Sequence, residues 1–287
     1  SGMLGATLVY RWQGRFDIYA TDKSNFPKSS AKNFMDFELL NESFKNLLDW
    51  AEPDVIVHCA AITNVDYCEE HPKQAMAVNT GSGVKFLQES PDTRLIFISS
   101  EAVFPDSMHL ASEKDQTAPE NVYGKTKVAG EIAILNAGKP HLALRTTIVG
   151  KNINPAAKGF VDWIVDSIKI GNEITLFNDV LFSPITIWQL ADELEWIVEN
   201  EISGIIHVAG TESITKYEFG VKICKELGLN TALIRKGSID DFNFKAKRSK
   251  DQTLGADYYQ CLSGRVLPST DKTIASIVKN FKEITYA

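Results

Sequence analysis

Apolar residues occur along this chain in two alternating patterns. One is the helical spacing seen in NESFKNLLDW (41–50), where Asn41 is a predicted N-cap, and in HPKQAMAVNTGSGVKFLQES (71–90). The other is a short, largely apolar run, which is typical of strands in a covered sheet. These predicted strands are FDIYATD (16–22), DVIVHCAA (54–61), RLIFISS (94–100), HLALRTTIV (141–149) and GIIHVAG (204–210). Strands that alternate with helices predict parallel βαβ units and a doubly wound α/β fold.

The pattern loosens after Gly150. Later helices are predicted at 159–171, 183–200, 215–228 and 270–284. We expect a first domain at 1–150, joined by roughly 181–210, and a smaller α/β substrate lobe at 151–180 and 211–287. Ligands of doubly wound sheets bind beyond the carboxyl ends of the strands, so the lobe should close over that edge.

The composition argues against several classes of protein. A net charge of −7 over 287 residues does not suit general nucleic-acid binding, which needs a basic face. No apolar run approaches the ~20 residues of a membrane-spanning helix. The four cysteines are far apart and form no C-x-x-C unit, so we expect free thiols in a reducing, cytoplasmic compartment.

A glycine pair at the start of the chain predicts a dinucleotide site. Gly2 and Gly5 run into an apolar helix, as in the second half of a dinucleotide-binding turn, where the helix N-terminus binds phosphate. The preceding strand is absent from the sequence, so we expect an N-terminal strand to be missing. Asp22, ~20 residues on, is placed to bind ribose hydroxyls and slightly favours NAD over NADP. A turn residue is the alternative for Asp22, and the adjacent Lys23 weakens the preference.

Further cofactor contacts are predicted after the next two apolar runs. Asp36, followed by Phe37, is a candidate to accept from an adenine amino group, although a helix cap or turn is equally expected there. Small side chains at Ala60 and Ala61 would let a flat cofactor lie against the backbone. Thr63 is a candidate for ribose or phosphate binding, with helix capping as the alternative.

The stretch ENVYGKTKVAGE (120–131) carries the candidate chemistry. Tyr123 and Lys127 are four residues apart and therefore share one helix face. A nearby ammonium lowers the pKa of a phenol, so Tyr123 is predicted to exchange a proton with a carbonyl oxygen. Lys127 is also expected to hold the nicotinamide ribose. Ser100, at the end of a predicted strand, would donate to the same oxygen, and Glu101 would contact the substrate or act as an acid.

A basic cluster, KAKRSK (245–250), stands out in an acidic chain. It is a candidate to bind the phosphates of a nucleotide-linked substrate, with Arg248 as the chosen residue. A solvated charged loop is the commoner explanation for such a run.

Together these motifs resemble the extended short-chain dehydrogenase/reductases, and among them the dTDP-4-dehydrorhamnose reductase family. The resemblance runs along nearly the whole chain, through SGMLG, PDVIVHCAAITNVDYCEEHPKQAMAVN, ISSEAVF and APENVYGKTKVAGE. It implies a Rossmann domain, an NAD or NADP cofactor, and reduction of a keto group on a nucleotide-linked 6-deoxysugar. It implies a catalytic set of Ser100, Tyr123 and Lys127. The cofactor set that it implies is Gly2, Met3, Leu4, Asp22, Asp36, Phe37, Ala61 and Thr63.

Two departures from that family fall on the substrate side. The family usually has Thr-Asp-Tyr where this chain has Ser100, Glu101 and Ala102, and a Trp against the sugar where this chain has Ile148. SSEAVF also leans towards a pattern of sugar-nucleotide epimerases, so an epimerase or dehydratase stays open. A non-catalytic NAD(P)-binding regulatory subunit, like the β subunit of methionine adenosyltransferase, is the third alternative. No metal site is predicted, and a homodimer is possible.

Overall fold

The computed structural model describes residues 2–23, 31–154 and 158–283. Within these residues the main sheet has four strands, namely β3 (Val55–His58), β4 (Arg94–Ile98), β5 (Leu142–Arg145) and β10 (Gly204–His207). They are parallel and lie in the order β10-β5-β4-β3. Successive side chains of a strand point to opposite faces. Accordingly, alternate residues of β4 join two different apolar clusters.

Helices cover both faces of this sheet. One face carries α1 (Met3–Arg11) and α8 (Ile187–Glu199), which pack on each other. The other face carries α2 (Phe44–Ala51), α5 (Ser82–Glu89) and α6 (Val122–Leu135). A sheet covered in this way confirms the doubly wound α/β fold.

The predicted helix at 71–90 consists of α4 (Pro72–Met76) and α5, which are joined by a π-helical turn at Ala77–Gly81. A separate short helix, α3 (Val65–Glu70), precedes α4. A π turn within a helix is rare and often marks a functional site. The predicted N-cap Asn41 is wrong by two residues: Ser43 is the N-cap of α2, because Asn41 lies in a turn whose N–H donates to the Glu38 oxygen at 3.1 Å.

A separate pair of strands holds two of the predicted cofactor residues. β1 (Tyr19–Asp22) and β2 (Asn33–Asp36) are parallel, and their register places Asp22 opposite Asp36. Among the described residues, no strand pairing connects this pair to β3. Both acids therefore lie at the carboxyl ends of neighbouring parallel strands.

The later part of the chain combines short sheets with longer helices. α7 (Phe160–Lys169), α9 (Lys216–Glu226) and α11 (Thr270–Glu283) share buried apolar clusters. The strands pair as β6 (Ile148–Val149) with β9 (Ile185–Thr186), β7 (Ile174–Phe177) with β12 (Ile234–Gly237), and β8 (Leu181–Phe182) with β11 (Ile214–Thr215) and β13 (Asp251–Gln252). α10 (Asp257–Ser263) packs through Tyr259 on the cluster of the main sheet. The division into two domains stays a prediction.

Two general properties complete the description. All four cysteines are free thiols, as the sequence predicts. None of the described helices combines the length and apolar composition needed to cross a membrane.

Candidate active site

The Ser100 hydroxyl lies just beyond the carboxyl end of β4. Ser100 is buried and N-caps a short 3-10 turn, where its Oγ accepts from the Ala102 N–H at 3.3 Å. Its own proton is donated to Glu101 Oε2 at 2.6 Å. The hydroxyl is therefore held at the edge of the sheet where ligands of α/β folds bind.

The first turn of α6 carries Tyr123 and is fixed by two caps. The Asn121 side chain accepts from the Gly124 N–H at 2.9 Å, and Glu69 of α3 accepts from the first amide of the helix at 3.0 Å. Side chains four residues apart share a helix face, so Lys127 follows Tyr123 one turn later on the same side.

The Lys127 ammonium is buried next to the Tyr123 ring. Its Nζ donates to the Ile98 carbonyl oxygen, the last of β4, at 2.9 Å. The same nitrogen lies 4.9 Å from the centroid of the Phe97 ring and 5.7 Å from that of Tyr123. Lys127 is only 4% exposed. The structure thus brings Ser100, Tyr123 and Lys127 together at one strand end.

Two glycines allow α6 to approach this strand end closely. A Cβ on Gly124 would lie 2.1 Å from the backbone oxygen of Ala102, and a Cβ on Gly130 would lie 2.4 Å from the Phe97 ring. Glycine inside a helix costs about 1 kcal/mol relative to alanine, so its presence signals a packing need. Neither glycine was predicted as a site residue, although this signal was present in the sequence.

Burial controls the protonation of the two side chains. It lowers the pKa of Lys127 to about 8, although the charge of nearby Glu131 acts to raise it. Burial also raises the pKa of Tyr123, and the charge of Glu101 raises it further, whereas a hydrogen bond with Ser100 lowers it. The prediction of a lowered pKa for Tyr123 is therefore wrong, because desolvation of the phenolate dominates. Tyr123 keeps its proton at neutral pH and can act as a donor.

A buried ion pair connects α6 to β5 next to the site. Glu131 of α6 accepts from Arg145 of β5 through Nε at 2.9 Å and Nη2 at 2.7 Å, and also from Ser99 Oγ at 2.5 Å. The Arg145 and Glu131 side chains are 2% and 3% exposed. Bidentate pairing of this kind fixes geometry as well as charge, so α6 and the ends of β4 and β5 are held together.

A buried amide links the predicted cofactor loop to α6. Asn79, in the π turn, accepts from the Ile62 N–H at 2.7 Å and donates to the Ile62 oxygen at 3.1 Å. Its Nδ2 also donates to Thr126 Oγ1 of α6 at 3.0 Å. Asn79 was not predicted as a site residue, because its role depends on contacts between distant segments.

The start of α1 fits the phosphates of a dinucleotide. Gly2 N-caps the helix and offers no side chain to its first amides, and no acidic residue stands in the first turn. Free backbone N–H groups at a helix N-terminus bind phosphate. A Cβ on Gly5 would lie 3.7 Å from the Cβ of Cys59, so this helix end is close to the segment after β3. The predicted phosphate residues here are Gly2, Met3, Leu4 and Gly5.

The remaining predicted cofactor residues lie in two groups. Ala60, Ala61 and Thr63 follow β3 and are exposed or half-buried. Asp22, Asp36 and Phe37 lie together, since the Phe37 N–H donates to the Asp22 oxygen at 2.9 Å. Small residues that follow β3 and acids at the ends of β1 and β2 suit the rings and ribose of a dinucleotide. Their individual roles stay predictions.

The basic segment 245–250 is neutralised within the chain. Arg248 pairs with Asp66 at 2.8 Å and stacks over the Phe244 ring at 5.0 Å. The lysines of the segment also pair with carboxylates, namely Lys245 with Glu70, Lys247 with Glu120, and Lys250 with Asp179 and Asp240. A substrate role for Arg248 stays a prediction, as does that of Ile148, which packs on the main-sheet cluster.

One charged residue near the site was not predicted. Lys216, the first residue of α9, lowers the pKa of Glu101 by its charge, whereas burial raises that pKa more strongly. A cation at a helix N-terminus is unfavourable, because it opposes the helix dipole. A lysine at the predicted start of a helix was therefore the sequence signal that could have identified Lys216.

Fold and site together define a Rossmann-type α/β protein with Ser100, Tyr123 and Lys127 at the end of one strand. The model of one protein family, described as the RmlD substrate binding domain, matches residues 1–283. The chain belongs to this family.

The chain is similar in sequence to reductases and to a subunit of methionine adenosyltransferase. The chain is 28% identical to a probable low-salt glycan biosynthesis reductase, Agl14, of Haloferax volcanii, over 84% of this chain and 82% of that protein. It is 27% identical to the dTDP-4-dehydrorhamnose reductase of Escherichia coli, over 88% and 84%. It is also 28% identical to methionine adenosyltransferase 2 subunit beta of Rattus norvegicus, over 80% and 72%.

Solved structures share the fold. The dTDP-4-dehydrorhamnose reductase of Yersinia enterocolitica has a TM-score of 0.80 at 26% identity, covering 98% of this chain and 96% of that one. The dTDP-4-dehydrorhamnose reductase of Bacillus anthracis, in complex with NADP, has a TM-score of 0.82 at 23% identity, covering 99% and 96%.

Proposed function

We propose that this protein is an NAD(P)H-dependent reductase of a nucleotide-linked 4-keto-6-deoxysugar. The observation that carries the proposal is the Lys127 ammonium, buried against the Ile98 oxygen and the Tyr123 ring, with Ser100 alongside. The likeness to reductases along most of the chain supports it. NAD is slightly favoured over NADP because of the acid at Asp22. Four free thiols favour a reducing, cytoplasmic compartment.

The chain supplies proton transfer and orientation. The bound reduced nicotinamide supplies the hydride to the carbonyl carbon. Tyr123 gives its proton to the carbonyl oxygen as negative charge develops there, and Ser100 turns its hydroxyl from Glu101 to the same oxygen. The Lys127 charge stabilises the resulting phenolate. The backbone positions of Ser100, Tyr123 and Lys127 are set before the reaction, so apart from the rotation of the Ser100 hydroxyl little reorganisation is needed during it.

The test is a turnover assay with both cofactors. Purified protein is mixed with dTDP-4-dehydrorhamnose and NADH or NADPH, and the absorbance of the reduced nicotinamide is followed. We expect one reduced cofactor to be consumed for each sugar reduced. An epimerase or dehydratase would convert its sugar without net consumption, and no consumption with a panel of nucleotide-linked keto sugars would contradict the proposal.

A non-catalytic NAD(P)-binding subunit is the second candidate. It is favoured by 28% identity to methionine adenosyltransferase 2 subunit beta, which matches the identity to the reductases. Affinity purification from the native host distinguishes the two. A stoichiometric complex with a larger enzyme, together with no turnover of any keto sugar, would support the subunit.

A further inference from the structure

The side chain of Lys216 is held by aromatic rings rather than by hydrogen-bond acceptors. Its Nζ lies 3.6 Å from the centroid of the Phe182 ring and 5.2 Å from that of Phe160. Across residues 2–23, 31–154 and 158–283, no oxygen accepts a hydrogen bond from this ammonium and no carboxylate forms an ion pair with it. Burial lowers its pKa to about 8, against the charge of Glu101. Three N–H groups thus remain for a ligand.

The backbone that carries Lys216 is rigidly placed. Its N–H donates to the Val180 oxygen at 3.0 Å, and the preceding Thr215 caps α9 together with Glu218. The ladder between β11 and β8 fixes the Phe182 ring below it, and that ring is fully buried. The ammonium is therefore held in position even without a polar partner.

Glu101 is the acidic group within electrostatic range of this ammonium. Each of the two charges acts on the pKa of the other, yet the two side chains form no ion pair within the described chain. Glu101 Oε2 also accepts from Ser100, which would bind the substrate carbonyl oxygen. The acceptor therefore lies next to the expected position of the carbonyl, and the donor is within electrostatic range of that acceptor without contacting it.

A sugar hydroxyl is the group that suits this pair. A hydroxyl can accept from the ammonium and donate to the carboxylate at once. A substrate carboxylate or phosphate here would face Glu101, and a substrate ammonium would face Lys216. In a 4-keto-6-deoxysugar, the hydroxyl beside the carbonyl carbon is the one on C3.

We propose that Lys216 and Glu101 together bind the ring hydroxyl on the carbon next to the carbonyl, which makes Lys216 a specificity-determining residue. This inference rests on the proposed function. The Lys216 and Glu101 pair selects neutral sugars with a free C3 hydroxyl over sugars that are deoxygenated or charged at C3.

The test compares two ligands and two variants by calorimetry in the presence of NAD⁺ or NADP⁺, whichever cofactor the turnover assay selects. The ligands are dTDP-rhamnose and its analogue with hydrogen in place of the C3 hydroxyl. Lys216→Met keeps an unbranched chain over the Phe182 ring and removes the donors. We expect it to weaken dTDP-rhamnose binding by about ten- to thirtyfold and to leave the binding of the analogue unchanged.

Lys236→Met is the matched control. Lys236 also lies over an aromatic ring, 5.7 Å from the centroid of Tyr217, but is exposed on β12. It should change neither affinity. Equal weakening of both ligands by Lys216→Met, or of neither, would overturn the inference, and thermal melting of each variant reports on folding.

The two proposals fail in different ways. If wild-type protein consumes NAD(P)H with the keto sugar but Lys216→Met discriminates between the two ligands as wild type does, only the role of Lys216 is lost. If the ligand-dependent difference is observed without turnover, the reductase proposal is lost and the hydroxyl contact stands. With turnover, the loss should fall on KM rather than on kcat, because Lys216 is proposed to bind a ring hydroxyl and not the oxygen that receives the proton.

Discussion

Lys127 and Lys216 have a similarly lowered pKa but are held by different kinds of contact. The α6 wall consists of Ser100, Tyr123 and Lys127, and the α9 wall consists of Phe160, Phe182 and Lys216. Burial lowers the pKa of each lysine to about 8. Lys127 is hydrogen-bonded to the main sheet, whereas the Lys216 ammonium rests on aromatic rings.

This difference separates chemistry from recognition. Proton transfer needs groups fixed before the substrate arrives, and the α6 wall is fixed by caps, an ion pair and close glycine contacts. Substrate recognition needs donors and acceptors that form their hydrogen bonds with the ligand, and the Lys216 ammonium of the α9 wall is such a donor. Substitutions should therefore lower kcat on the α6 wall and raise KM on the α9 wall.

Removing the proton donor of the α6 wall should have the largest effect. Tyr123→Phe keeps the ring beside Lys127 and removes the hydroxyl, so we expect kcat to fall by about 10²–10⁴-fold. Cofactor affinity, measured by fluorescence titration with NADH and with NADPH, should stay within a few-fold of wild type. An unchanged kcat would refute the role of Tyr123.

Displacing the α6 wall should have an intermediate effect. Gly124→Ala places a Cβ against the Ala102 backbone, so we expect a stability loss of about 1–3 kcal/mol and at least a tenfold lower kcat by moving Tyr123. Stability is measured by urea unfolding. The control is Gly83→Ala in α5, where a Cβ would make ordinary contacts at 3.8 Å. A neutral Gly124→Ala would show that the close approach is not needed.

The pH dependence should separate the two lysines and is the smallest effect. Both ammonium groups keep their protons below about pH 8 and lose them above it, so kcat/KM should fall as pH rises through that value. Loss of the Lys127 proton gives a limiting slope of about −1 in log kcat/KM, and loss of the Lys216 proton adds a drop of at most about ten- to thirtyfold, which Lys216→Met should remove. The limb in kcat should persist in this variant. Its disappearance would assign the limb to Lys216 instead.

The periodic part of the site was predictable from the sequence. Ser100 follows a continuous apolar strand, and Tyr123 and Lys127 are related by helix geometry, so their positions follow from local pattern. The same holds for the doubly wound fold. The glycine pair and Asp22 fit the expected cleft, although their roles await ligand binding.

What escaped prediction depends on contacts between distant segments. The Tyr123 pKa is raised because the fold buries the phenol, which no spacing reveals. The basic segment looked free for phosphate, but Asp66 and other acids far along the chain pair with it. The position of Lys216, directly after β11, depends on the pairing of β11 with β8, which joins segments that are distant in the sequence. The sequence shows a glycine inside a helix at Gly124, but it does not show that Gly124 packs against Ala102.

The amide of Asn79 has a consequence for how binding and turnover are connected. One side chain grips both the loop expected to touch the dinucleotide and the helix that carries the phenol. Thr80, in the same π turn as Asn79, also donates to the Thr126 oxygen at 2.7 Å, so the turn ties the expected coenzyme contact to α6 at two adjacent residues. We therefore expect that a substitution at position 79 changes affinity for the coenzyme and alignment of the acid together.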